Sequence, residues 1–278
     1  MRYIEKTGYV IVALMAAVFM AGCCQERKPL QIIVTNDSHS QVMPLHGKGG
    51  FEARMWLIDS LREENPNTLL LDAGDIFQGT PYFNEFKGRV EVEAYNLMGY
   101  DAMTLGNHEF DNGLDTLAAR IGEMDFPVVC ANYDVTGTPL EGLVKPYTVI
   151  ERGGWRVGVF GLGVNPEGLI LQNCFGDIKY IDPIEAARKC VRTLREKERC
   201  DAVILLSHLG YEDDSKTGNV ADVDVVAATE GIDVILGGHT HQVRGVFMHA
   251  NAAGDTIPVI QEAKSALDIY SLTLTDAR

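Results

Sequence analysis

The chain has 278 residues, of which 46% are apolar and 23% charged, with 28 Gly and 10 Pro. That balance is ordinary for globular proteins and excludes disordered, collagen-like and coiled-coil chains; the length suits one large domain or two small ones. Twenty-four Lys+Arg against 39 Asp+Glu give a net charge of −15, which excludes binding of a nucleic-acid polymer by a basic face and demands local positive charge for any anionic substrate.

In chain order, Arg2 and Lys6 precede an unbroken apolar run, Tyr9–Ala21. Its 13 residues are too few to span a bilayer core, which needs about 20. They fit the apolar region of a secretory signal peptide over residues 1–22. The run ends Phe19-Met20-Ala21-Gly22-Cys23-Cys24, which resembles a bacterial lipobox. That resemblance implies an exported lipoprotein, lipidated at Cys23 and held on a membrane facing the periplasm or the cell exterior. Stable anchoring takes more than one acyl chain, so multiple acylation is expected. Residues 23–29 form a short tether. Removing residues 1–22 deletes Arg2, Lys6 and Glu5, a net +1, so the mature chain carries −16. Five other cysteines remain, an odd number with no C-x-x-C spacing, and small buried side chains are their simplest reading.

A strand–helix rhythm follows. Strands are expected at Gln31–Thr35, Thr68–Leu71, Ala102–Leu105, Val128–Ala131, Trp155–Gly161, Ala202–Leu206 and Val234–Leu236. Several are apolar throughout, which suits burial on both faces. Helices are expected at Phe51–Arg62, Val90–Met98, Leu114–Met124, Ile184–Glu198 and Val220–Thr229. Later strands at Thr148–Ile150, Val243–Phe247, Pro258–Gln261 and Ile269–Thr275 have few helices between them and read as antiparallel or mixed. No repeat, low-complexity segment or linker divides the rest.

The informative regularity lies just past the strands. Asn36-Asp37-Ser38-His39, Asp72-Ala73-Gly74-Asp75, Gly106-Asn107-His108-Glu109-Phe110-Asp111, Ser207-His208 and Gly237-Gly238-His239-Thr240-His241 each follow one. In open α/β sheets ligands bind at the carboxyl ends of the strands. Five of the seven histidines sit in these turns; only His46 and His249 do not. Taken singly, Asp37-x-His39 is equally an Asx-turn, and His208 is equally a buried turn residue. Together they read as a metal or catalytic centre. Asp, Asn and His donors without Cys suit Zn²⁺, Mn²⁺ or Fe better than Ca²⁺ or structural zinc. Six or seven donors exceed one tetrahedral ion and fit two ions about 3.5–4 Å apart sharing a carboxylate. Such a pair makes hydroxide from bound water at neutral pH and favours a phosphate ester or anhydride as substrate.

These motifs resemble the calcineurin-like metallophosphatases. Gln78-Gly79, Glu109-Phe110-Asp111 and Gly49-Gly50-Phe51-Glu52-Ala53-Arg54 narrow the resemblance to the 5′-nucleotidase/UDP-sugar hydrolase branch, from about Leu30 to Leu274. It implies an α/β fold, a four-layer α/β/β/α sandwich with mixed sheets, over a catalytic domain at 30–278. It implies two divalent cations, Zn²⁺ or Mn²⁺ first, with Co²⁺, Fe or Mg²⁺ as alternatives. Asp37, His39, Asp75 and His241 would hold one ion; Asp75, Asn107, His208 and His239 would hold the other. His108 and Asp111 would be the catalytic pair, with Asn107 and His108 on the substrate. His241 stands where many relatives carry Gln. The implied activity is hydrolysis of nucleotide phosphomonoesters by metal-bound hydroxide. A 2′,3′-cyclic phosphodiesterase or UDP-sugar hydrolase is the alternative within the same chemistry.

The resemblance also implies a second, substrate-binding domain, expected to lie outside these 278 residues, on a longer chain or on a separate partner. Thr275-Asp276-Ala277-Arg278 reads as a turn without a return strand, and Gln261–Leu267 lacks the glycine-rich form expected there. A separately encoded nucleotide-binding domain is therefore the expected partner if the chain is a catalytic or scaffold subunit.

Overall fold

The computed structural model describes residues 27–212, 218–241, 245–261, 264–265 and 269–275. The expected signal peptide, Cys23, Cys24, residues 276–278 and part of Gln261–Leu267 lie outside the described residues.

Two six-stranded mixed sheets face each other. The first contains β1 (Leu30–Thr35), β2 (Thr68–Asp72), β3 (Ala102–Met103), β4 (Val128–Val129) and β6 (Val144–Lys145), all parallel, with β14 (Tyr270–Leu274) antiparallel on the β1 edge. The second contains β8 (Trp155–Leu162), β10 (Ala202–Ser207), β11 (Val234–Gly237) and β13 (Thr256–Gln261) in parallel. Its edges, β7 (Tyr147–Arg152) and β12 (Gly245–Ala250), run antiparallel. A two-stranded ribbon, β5 (Tyr133–Asp134) with β9 (Lys179–Tyr180), stands apart.

The period-2 pleat sorts the apolar strand residues into separate layers. Ile32, Val34, Leu69 and Leu71 meet Val157, Val159, Ile204, Leu206, Val234 and Leu236 between the sheets. Their neighbours Ile33 and Leu70 face outward onto α1 (Phe51–Glu64), α3 (Arg89–Met98) and α4 (Gly113–Gly122). Phe160, Val203, Leu205 and Ile235 face the other way, onto α6 (Pro183–Arg192) and α7 (Asp222–Ala228). The continuous apolar runs in the sequence are thus strands with core on both sides, and the layers stack α/β/β/α as expected.

Helix α6 shows how sequence sets one of the covering layers. Pro183 opens it, and Asp182 caps it by accepting from the Glu185 amide at 2.9 Å. Pro183, Ala186, Ala187, Cys190 and Val191 then form a buried stripe at helical spacing. The sequence extends this helix to Glu198. Instead it passes into one wide π turn, Thr193–Lys197, where Arg195 donates to the carbonyls of Gly231, Cys200 and Asp201 and pairs with Asp233. Strand β3 stops at Met103, short of the expected Leu105; the next residue, Thr104, donates its hydroxyl to the Val129 carbonyl at 2.8 Å. Two short helices, α2 (Pro81–Phe86) and α5 (Gln172–Phe175), add to the expected elements.

Cys130, Cys174, Cys190 and Cys200 are free thiols. Burial pushes Cys130 and Cys190 up to about 12, so both are inert neutral packing groups. Among the described residues no helix is long and apolar enough to cross a membrane.

Candidate metal centre

The carboxyl ends of β1, β2 and β3 in one sheet and of β10 and β11 in the other meet at one rim. The turns beyond them bring Asp37, His39, Asp75 and His241 into one group and Asp75, His208 and His239 into a second. Within each group the potential ligand atoms all lie within 4.8 Å of one another. Asp75 belongs to both. The remaining histidines do not join: His46 is exposed, and His249 pairs with the Tyr211 hydroxyl at 2.9 Å.

The turns are held in an uncommon backbone conformation. Asp37 (φ 46°), His39 (45°), Asp75 (57°), His239 (82°) and His241 (58°) all lie in the left-handed region. Asp and His tolerate it better than β-branched residues, but such positions cost on the order of 1–3 kcal/mol each and persist only when the surroundings enforce them. The surroundings are visible. The Asp37 carboxylate accepts from the Asn36 side chain and from the His239 amide at 2.9 Å, which joins the two sheets. The Asp75 carboxylate accepts from the His108 amide at 2.8 Å. A Cβ on Gly106 would collide with Asp75 Oδ1 and lie 2.7 Å from His208 Nε2, so only glycine lets that turn approach.

Glu109 is the organiser that its motif did not reveal. Its buried carboxylate accepts from the amides of Asp75 (2.9 Å), Ile76 (2.9 Å), Phe77 (3.4 Å) and Gly106 (2.6 Å). Burial and the nearby Asp75 push this group up to about 7, against four amides that favour its charged form. Glu109→Ala leaves four donors without an acceptor at about 1–3 kcal/mol each. We expect urea unfolding to show a loss of several kcal/mol; a loss under about 1 kcal/mol would remove Glu109 from this role.

The donors have the arrangement that divalent cations require. His208 is fully buried, and its Nδ1–H donates to the Ala73 carbonyl at 2.7 Å, which turns Nε2 toward the carboxylates. Nε2 lies 3.0 Å from Asp75 Oδ2 and 3.8 Å from Asp37 Oδ1 without the geometry of a hydrogen bond. The Asn107 Oδ1 atom is likewise buried without a partner. His39 Nε2 and His241 Nε2 face each other at 2.9 Å, and the latter is 2.9 Å from Asp37 Oδ1. Lone pairs converging on shared space in this way fit Zn²⁺ or Mn²⁺ coordination by nitrogen and oxygen.

Electrostatics agree. Burial disfavours the Asp37 and Asp75 carboxylates, yet His208 together with His241 at Asp37 and with His108 and His39 at Asp75 outweighs it, and both sit below the usual range. Burial lowers His208, but Asp75 and Asp37 overcome it and raise the imidazole to about 10. Burial holds His39 low and, with His208 nearby, holds His239 down at about 4, so both are neutral. A cation that takes His208 as a donor must therefore displace its proton. The sign is fixed: below pH 10 affinity should fall as pH falls, about tenfold per pH unit for one displaced proton. Zn²⁺ titration calorimetry between pH 8 and pH 6 should show about a hundredfold weakening with uptake of one proton by the buffer; pH-independent affinity would contradict it.

Beside the donors, His108 Nδ1 is 2.9 Å from Asp111 Oδ2, and the rings of His108 and His39 lie 5.3 Å apart, edge to face. His108 is about a third exposed, at 30% for its side chain, whereas Asp37, Asp75 and His208 behind it are buried. Burial lowers its imidazole, but the Asp111 hydrogen bond and Asp75 raise it overall. It can therefore present a proton from Nε2 at the mouth of the site.

The calcineurin-like phosphoesterase family profile matches residues 30–243. A probable 5′-nucleotidase of Treponema pallidum is 36% identical over 229 residues, covering 78% of this chain and 37% of that protein. A 5′-nucleotidase of Vibrio vulnificus is 35% identical over 270 residues, covering 87% of this chain and 46% of the relative. The solved structure of a 5′-nucleotidase precursor from Thermus thermophilus superposes with a TM-score of 0.81 at 33% identity, over 89% of this chain and 51% of that one. The chain thus spans about half, or less, of the length of these proteins. With the sandwich, the strand-end donors and the family profile in agreement over the same residues, the chain belongs to the calcineurin-like phosphoesterases.

Proposed function

We propose that the protein is a two-cation phosphohydrolase that removes phosphate from nucleotide monophosphates. The observation that carries this reading is the pair of donor groups sharing Asp75, with His108 and Asp111 at their open side. Asp37, His39, Asp75 and His241 would hold one cation; Asp75, Asn107, His208 and His239 would hold the other. Once bound, they supply Lewis-acid charge and bring the pKa of water from 15.7 toward about 7.

The chain's own residues do the rest. His208 keeps Nε2 on the cation side by donating Nδ1–H to Ala73. Asp111 fixes the His108 ring so that Nε2–H points toward a bound phosphoryl group. There it can bind an equatorial oxygen or give its proton to the leaving oxygen. Asn107, next to it, presents an amide to a cation or to substrate. In an otherwise acidic chain, bound cations are the local positive charge that a phosphate needs. The similarity to proteins named 5′-nucleotidases supports the substrate class. The test is phosphate release from 5′-nucleoside monophosphates, compared with 2′,3′-cyclic nucleotides and UDP-sugars. Turnover of the cyclic or sugar substrates alone would replace the nucleotidase reading by its alternative.

We also propose export and lipidation at Cys23, on the strength of Arg2, Lys6 and the Tyr9–Cys23 pattern. Cys23→Ser should move the protein from the detergent phase to the aqueous phase; an unchanged partition would refute it.

A further inference from the structure

One buried cluster behind the cation site has no part in the mechanism above. Asp222 opens α7 and is fully buried. Its Oδ1 accepts from the Ser207 hydroxyl, and its Oδ2 accepts from Gln261 Nε2 at 2.6 Å. Ser207 ends β10 and Gln261 ends β13. Between them lies Gly237, the last residue of β11, where a Cβ would stand 2.5 Å from Asp222 Oδ2 and collide with Gln261 Nε2. One carboxylate therefore ties the ends of two strands, β10 and β13, to a helix start across the end of β11 that lies between them. The Asp222 amide adds a bond to the Gly210 carbonyl at 2.9 Å, closing the loop that follows His208.

The register of this clamp is what matters. Ser207 immediately precedes His208, and Gly237 lies two residues before His239. Both histidines belong to the second donor group, with Asp75. Asp37 and His39 come from the turn after β1 in the opposite sheet, which Asp222 does not touch; His241 alone of the first group shares the turn after β11, two residues beyond His239. We propose that Asp222 is a positioning residue that sets His208 and His239 for the second cation, acting through Ser207, Gln261 and the space that Gly237 leaves. This rests on the two-cation reading above and deepens it: both protein donors that belong to the second group alone, His208 and His239, follow the clamped strand ends, whereas only His241 of the first group does.

The test is titration calorimetry of the metal-stripped full chain with Zn²⁺, with Co²⁺ absorption as a second readout of donor geometry. Supports of this kind change metal affinity 10–100-fold. In Asp222→Ala the second equivalent should weaken by that factor, while the first, which draws only His241 from the clamped turn, should weaken clearly less. Asp222→Asn, which can still accept from one partner and donate to the other, should restore the second equivalent and the Co²⁺ spectrum. Equal weakening of both equivalents, no weakening in a folded Asp222→Ala, or an Asn variant as poor as Ala would overturn the proposal. If Asp222→Ala does not fold by circular dichroism, Ser207→Ala and Gln261→Ala each remove one arm; selective loss of the second equivalent supports the clamp and unchanged binding overturns it. A wild-type chain that binds fewer than two cations would instead overturn the two-cation reading itself, which is separable from a wild type that binds two and variants that do the same.

Discussion

Asp75→Ala is expected to empty both cation sites at once. No other side chain in the centre belongs to both donor groups. Its carboxylate also faces the fully buried His208 at 3.0 Å. Removing it takes a ligand from each cation and leaves His208 without its nearer counter-charge. Phosphate release should fall by more than about 10³-fold, the scale attached to removing a single electrostatic contact in an active site. Metal analysis should find much less than one equivalent per chain. The metal-free fold should also lose stability, by about 3–5 kcal/mol for one broken buried pair. Retention of one tightly bound cation would show that the two donor groups are independent and that Asp75 does not bridge.

His108→Ala is expected to do the opposite: to leave cation binding intact while turnover collapses. His108 lies outside both donor groups. Only its backbone amide, at 2.8 Å from Asp75 Oδ1, supports the centre, and Ala keeps that bond. Proton transfer and charge stabilisation by one positioned histidine are worth about 10²–10⁴-fold in rate. Two cations should still titrate, with kcat down by that range. Asp111→Asn should cost less, because the ring remains but its orientation and raised imidazole pKa do not. Since Asp111 and the nearby carboxylates raise His108, the protonated form survives to higher pH in the wild type. The basic limb of the rate profile should therefore move to lower pH in Asp111→Asn. The acid limb, where protons compete with cations for the histidine donors, should stay where it is. Loss of metal in His108→Ala, or an unmoved basic limb in Asp111→Asn, would contradict these roles.

How much of this is readable in the sequence follows from how local each feature is. The sheets are, because a strand buried on both faces writes itself as an uninterrupted apolar run, as in Leu69–Leu71 and Ala202–Leu206. The donors are, because each follows its strand by one to five residues. The small elements are not: α2 and the two-residue strands β5, β6 and β9 are shorter than any hydrophobic period. The supports are not either. Glu109 acts on amides more than thirty residues upstream, and Asp222 joins Ser207 to Gln261 across fifteen and thirty-nine residues. Arg54 is buried against the hydroxyls of Tyr95 (3.1 Å) and Tyr100 (3.5 Å). The same cluster holds Asp72, which burial pushes up to about 6. Helical spacing puts Arg54 on the face of Phe51 and Ile58, but a cation there reads as solvated until the tyrosine hydroxyls that receive it are in place. Such contacts are set by tertiary packing, which local spacing does not encode.

The central claim is that two cations sharing Asp75 form the hydrolytic centre. It is tested most directly by adding Mn²⁺ or Zn²⁺ stepwise to metal-stripped protein while phosphate release from a 5′-nucleoside monophosphate is followed. The expected result is no turnover without metal, little with one equivalent and full activity as the second binds. Turnover that survives chelation, or none with two cations bound across the nucleotide, cyclic nucleotide and UDP-sugar panel, would contradict it.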